Sequence, residues 1–118
     1  MKSVKVQFID DGAIEWETLN KLVGEERGKG VTNSENQQLL KSIQQKIELI
    51  KMNPQYGEHV PKKLVPKKLL VDNLWVVDLT NYWRMIYTLR GNSVEILCFV
   101  LDIMDHRKYD RLFGYRKK

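Results

Sequence analysis

Three β-rich runs follow one another late in this chain, Leu74 to Leu79, Tyr82 to Leu89 and Val94 to Ile103, separated by only a few residues each time. A parallel crossover needs a dozen residues or more, so connections this short predict an antiparallel meander. Thr80-Asn81 and Gly91-Asn92 supply the turn signals, the second with glycine first, as a tight hairpin prefers. Strand alternation then sorts the middle run into two faces. Trp83, Met85, Tyr87 and Leu89 share one that is apolar enough to pack on helices, and Tyr82, Arg84, Ile86 and Thr88 share the other. Arg84 therefore points away from the helix layer. There it either pairs with Asp78 or Glu95 across the sheet or, with nearby histidine and tyrosine, receives an anionic ligand such as a phosphodiester.

Upstream the period changes. Val4 to Phe8 alternates like a half-buried strand. From about Ile14 to Glu26, Trp16, Leu19, Leu22 and Val23 fall on one helical face, with Glu15 and Glu17 in the first turn, before Gly24, Gly28 and Gly30 weaken and end the helix. Thr32 and Glu35 have capping-box spacing, and Leu39, Leu40, Ile43, Ile47 and Ile50 form an apolar stripe until Asn53-Pro54 stops it. These two segments predict a helical hairpin. Between it and the meander lie Pro54, Pro61, Pro66 and a direct repeat, Val60-Pro61-Lys62-Lys63-Leu64 followed by Val65-Pro66-Lys67-Lys68-Leu69, which reads as a loop or irregular edge. Asp105 to Tyr115 reads as a short helix with Asp105 as its N-cap. The expectation is an α+β fold: a helical hairpin packed on a mainly antiparallel four-stranded sheet in the order β-α-α-β-β-β, with a short C-terminal helix or tail. A chain of 118 residues with 42% hydrophobic content suits one domain over 1–118.

The net charge of +5 is unevenly spread. Residues 1–59 hold 8 Lys and Arg against 9 Asp and Glu, residues 60–90 hold 6 against 2, residues 91–105 hold 0 against 3, and residues 106–118 hold 6 against 1. Two basic blocks with interleaved aromatics favour nucleic acid or an acidic protein as partner over a neutral small molecule. No run of 18 apolar residues and no signal-peptide pattern is present, so a soluble, cytoplasmic protein with no membrane association is expected. Cys98 is the sole cysteine and sits in the apolar run Ile96 to Val100, which predicts a buried, inert thiol.

Other motifs fail on their spacing. Gly28-Lys29-Gly30 lacks the Ser or Thr of a phosphate-binding loop. Two histidines, His59 and His106, and one cysteine give no ordinary zinc set, and no cofactor or metal is expected. Asp10 and Asp11 are explained by turn formation and helix capping, and Trp75 and Trp83 by core packing.

The element order, the lysine-rich repeat, Asn73-Leu74-Trp75, Trp83-Arg84-Met85-Ile86-Tyr87 and the stretch Asp105-His106 through Gly114-Tyr115 together resemble the RelE/ParE superfamily of type II toxins, and within it the RelE-like branch. The resemblance implies a toxin of a toxin-antitoxin pair with an acidic antitoxin as partner. For the RelE-like branch it implies cleavage of messenger RNA on the ribosome without a metal: a 2′-hydroxyl attacks its own phosphate and the 5′-oxygen leaves. It also implies roles. Arg84 would clamp the phosphate through its planar fork. Among Lys62, Lys63, Lys67 and Lys68, Lys67 is the candidate general base if like charges lower its pKa. Arg107 would stabilise the leaving oxygen, with His106 the natural acid near neutral pH. The family tyrosine lies about a turn and a half beyond its His-Arg pair, a place held here by Arg111, so Tyr109 and Tyr115 are the available phenols. Tyr115 is assigned to the catalytic set, and Lys62, Lys63, Lys68, Tyr109, Arg111 and Arg116 to RNA binding. ParE-type members offer the other possibility, inhibition of DNA gyrase without catalysis, and a degenerate member would bind RNA or antitoxin without cleaving.

Overall fold

The computed structural model describes residues 2–114. Tyr115 and Arg116 lie outside the described residues. β1 (Ser3–Phe8) leads into α1 (Asp10–Gly28) and α2 (Glu35–Met52), and then come β2 (Glu58–His59), β3 (Trp75–Asp78), β4 (Trp83–Gly91), β5 (Glu95–Asp105) and α3 (His106–Phe113). The strands form one sheet in the order β1-β5-β4-β3-β2. The expected antiparallel meander is β3-β4-β5, and β1 runs parallel to β5 at one edge. The sheet has five strands rather than four. The extra one, β2, is two residues long and lies in the segment read as loop, too short to show a period.

The face assignment within β4 holds. Met85 and Tyr87 are fully buried among Leu19 and Val23 of α1 and Leu39, Leu40, Ile43 and Ile50 of α2, with Trp83 and Leu89 packed at the margin. Cys98 is buried in this same core, and burial pushes its thiol up to about 12. The opposite face corrects the expectation of an open surface. Ile86, Leu101 and Met104 make a second core with Val60, Leu74 and Val76, covered by Val65, Leu69 and Val71 from the repeat and by Tyr109, Leu112 and Phe113 from α3. The sheet is thus sandwiched around these residues, and further along the same face Thr88, Arg90 and Phe99 line an open recess of about 410 Å³ beside Leu69, Val71 and Asn73.

Local chemistry explains where boundaries moved. α1 starts at Asp10 rather than near Ile14 and runs through Gly24, and Leu22 is 40% exposed instead of core. Its first turn lies against β5 at Val100 and Leu101, where the pairing with β1 ends at Phe8. A Cβ on Gly12 would come 2.4 Å from the Val100 carbonyl oxygen, so only glycine permits this approach. α2 is capped by Ser34, whose hydroxyl accepts from the Gln37 N–H at 3.1 Å, and not by Thr32. The Ser34 hydroxyl in turn donates to Glu26, which also receives Asn36 Nδ2 at 3.0 Å and ties the two helices together. Each half of the direct repeat folds as a single 3₁₀ turn: the Pro61 carbonyl accepts from Leu64 N–H at 2.8 Å, and the Pro66 carbonyl from Leu69 N–H at 3.1 Å. Asn73 acts as a short strand partner to β4, accepting from Leu89 N–H at 2.8 Å and donating to the Leu89 carbonyl at 2.9 Å.

Candidate nucleic-acid interface

At one corner of the sheet the β3-β4 turn meets the start of α3. The Thr80 carbonyl accepts from Trp83 N–H across Asn81 and Tyr82, whose φ angles are 57° and 63°, which makes a type I′ turn. β4 accordingly begins at Trp83, one residue later than the sequence period suggests. Trp83 is paired with Asp105 and Arg84 with Met104, so the end of β5 delivers α3 directly beside the turn. Asp105 caps α3 as expected, accepting from Lys108 N–H at 2.9 Å. His106, the first residue of that helix, meets the Tyr82 ring edge-on at 6.0 Å.

Arg84 is gripped from two sides. Its Nε donates to Asp78 Oδ1 at 3.1 Å, the cross-strand pairing anticipated from sequence, and its guanidinium carbon stands 4.4 Å from the centre of the Tyr109 ring. The Asp78 side chain is 85% exposed, so this ion pair is a weak one, on the order of 0–1 kcal/mol. Tyr109 also packs on Phe113 at 4.4 Å between ring centres, an i, i+4 pair that seats α3 on the second core. Arg107 is exposed on the first turn of α3.

A second group surrounds a recess of about 230 Å³ between the repeat and α3, lined by Asp11, Lys68, Asp102, Lys108 and Arg111. Lys108 Nζ bonds Asp102 Oδ2 at 2.9 Å, and the Asp102 side chain is only 8% exposed. That bond raises the Lys108 pKa above the usual ammonium range against the opposing effect of burial. Glu15, nearby on α1, has its pKa raised by desolvation first and by the charge of Asp102 next. The recess balances cations with carboxylates, whereas the Arg84 corner is held together by aromatics.

The structure therefore sets Arg84 against Tyr109 and His106 against Tyr82 where β4 meets α3, with Arg107 on the same first turn of α3, and places Lys68 and Arg111 at the recess. Lys62, Lys63 and Lys67 are exposed on the two 3₁₀ turns. Sequence reasoning passed over Tyr82, Asp102 and Lys108 as site residues. The lone acid in the apolar run of β5 was a signal for Asp102, since an ionised group there needs a partner. Among the described residues no three His, Cys, Asp or Glu side chains gather as a metal-holding group, and no helix is long and apolar enough to cross a membrane.

The order β-α-α followed by a sheet ending in an antiparallel meander, with a short helix crossing the far face, defines a RelE/ParE-like α+β fold. Among solved structures the chain is similar to a YoeB/ParE toxin from Agrobacterium tumefaciens, with a TM-score of 0.57 and 15% sequence identity, over 90% of this chain and 99% of that one. At that identity the likeness is one of fold. No family model and no curated protein matches the chain.

Proposed function

We propose that this protein is the toxin of a type II toxin-antitoxin pair and that it cleaves messenger RNA on the ribosome. The observation that carries this reading is Arg84, whose guanidinium is braced by Asp78 and by Tyr109 of α3, the helix that His106 begins. A planar fork held in this way suits the two non-bridging oxygens of a phosphorane. In the reaction a base removes the proton of the 2′-hydroxyl, its oxygen bonds the adjacent phosphorus, and the 5′-oxygen leaves with a proton, giving a cyclic phosphate. Arg84 stabilises the charge on the phosphorane, His106 supplies the leaving-group proton, and Arg107 adds positive charge beside it. An acidic antitoxin segment covers the basic surfaces when the toxin is silent.

A non-enzymatic reading, inhibition of gyrase or binding of RNA without cleavage, is favoured by one feature: the carboxylates Asp78, Asp11 and Asp102 already stand beside Arg84, Lys68 and Lys108. Translation of a defined message in a purified ribosomal system, with message ends mapped by primer extension, separates the two. New internal ends that depend on the protein support the nuclease. An intact message together with lost gyrase supercoiling supports the inhibitor.

A further inference from the structure

The β3-β4 turn contains a residue that its geometry disfavours. A type I′ turn requires positive φ at both central positions, and Asn-Gly is the pair that adopts it most easily. Here Asn81 fits the first position, but Tyr82 holds the second at φ 63°. An aromatic residue in the left-handed region costs free energy that glycine would not. Burial of the ring does not offset that cost, because Tyr82 is 80% exposed. His106 meets it with the ring planes inclined at 67° and the centres 6.0 Å apart, and one such neighbour can cover at most one face of a ring that is 80% exposed, so the other face is open. A strained backbone carrying an unburied aromatic indicates a role outside the fold.

We infer that Tyr82 is a base-stacking platform, taking one unpaired nucleobase of a single-stranded RNA on its open ring face while Arg84, two residues on, holds a neighbouring phosphate. This rests on the RNA reading of the same corner. Every base has an aromatic face, so the contact is tolerant of sequence, and the adjoining cations Arg84 and Arg107 favour a polyanion over an apolar protein surface. The turn holds the ring at the mouth of the site, where a residue in regular strand geometry would turn it along the sheet.

The test uses short 2′-O-methyl oligoribonucleotides, which lack the attacking hydroxyl and so report binding alone, in fluorescence anisotropy with wild type, Tyr82→Phe and Tyr82→Gly. Tyr82→Phe should bind as wild type does. Tyr82→Gly should lose about tenfold in affinity, the size of one base stack, and should melt at a higher temperature because the strain is gone. An abasic position walked along the oligonucleotide should weaken wild type by a similar factor at one site and leave Tyr82→Gly unaffected there. Undiminished affinity of Tyr82→Gly overturns the stacking role while the RNA site stands. A lower melting temperature of that variant overturns the strain argument. Wild-type protein that binds no oligonucleotide overturns both the platform and the RNA reading beneath it.

Discussion

The guanidinium carbon of Arg84 lies 4.4 Å from the centre of the Tyr109 ring, joining the second residue of β4 to the first turns of α3. Such a cation-π contact is worth about 0.5–1 kcal/mol at an exposed site, and the exposed Asp78 pair adds no more than that. Both are weaker than the charge-assisted bonds a phosphate offers, at roughly 1.5–3 kcal/mol each. Arg84 is thus oriented by contacts that a phosphodiester can outcompete.

Asp78→Asn should therefore tighten RNA binding, by about 3-fold to 5-fold at low salt, by removing a carboxylate 3.1 Å from the Arg84 Nε. The gain should shrink as ionic strength rises. Anisotropy titrations at two salt concentrations check this, and weaker binding by the variant would mean that Asp78 positions Arg84 more than it competes for it.

Two glycines of α1 should respond in opposite directions. At Gly12 an added Cβ meets the Val100 carbonyl oxygen at 2.4 Å, and strand backbone has no easy way to retreat, so Gly12→Ala should destabilise by about 2–3 kcal/mol. At Gly24 nothing lies within 4 Å, and Gly24→Ala should stabilise by about 0.5–1 kcal/mol through helix propensity. Denaturant melts of the two variants give both numbers.

Tyr87 anchors the segment after α2: its hydroxyl accepts from Gly57 N–H at 2.9 Å and donates to the Pro54 carbonyl at 2.8 Å. Tyr87→Phe should cost about 1–3 kcal/mol by leaving both groups unsatisfied, and Tyr87→Ala about 3–5 kcal/mol as a large core truncation. Burial pushes the phenol up to about 12. Because the folded pKa lies above the ordinary 10, its contribution is complete below pH 10 and is lost as pH climbs from about 10 to about 12. Alkaline melts of wild type and Tyr87→Phe should converge across that window.

The Lys108-Asp102 pair fastens α3 to β5. Lys108→Met strands a carboxylate that is only 8% exposed, and the loss should be about 2 kcal/mol, below the cost in a fully buried pair because the Lys108 side chain is 44% exposed. Asp102→Asn with Lys108→Met should recover part of that loss. Thermal unfolding of the two single variants and the double variant measures the coupling.

The sheet was legible where period and turn chemistry agreed. Alternation in β4 put Met85 and Tyr87 under the helices and Arg84 on the other side, and Asp105 announced the start of α3. The helix stripe of α2 was equally plain, while its cap was not: Ser34 and Thr32 both precede Glu35, and the choice fell to the Glu26 side chain that takes the Ser34 hydroxyl, a contact from another helix. The second core escaped notice because its cover comes from the proline repeat and α3, whose apolar residues have no strand or long-helix period. Of the candidate site residues, Arg84 meets Tyr109 of α3, while His106 at the start of that helix meets Tyr82. Tyr82 was hidden by its own turn, since an alternating pattern reads it as the first residue of a strand, and only the positive φ reveals otherwise.

The central claim is that Arg84 holds the scissile phosphate, and single-turnover cleavage of a message on programmed ribosomes, with chelator present, tests it most directly. Wild type should cut the message under these conditions, and Arg84→Ala should be slower by a factor of about 100 or more, the size expected for loss of one transition-state donor. Arg84→Lys should recover only part of the rate, because an ammonium keeps the charge and loses the fork. All three proteins should melt within about 2 kcal/mol of one another, since Arg84 is partly exposed and loses only a weak ion pair and one cation-π contact. A folded Arg84→Ala protein that cleaves at the wild-type rate, or a wild type whose cleavage disappears with chelator, would contradict the account.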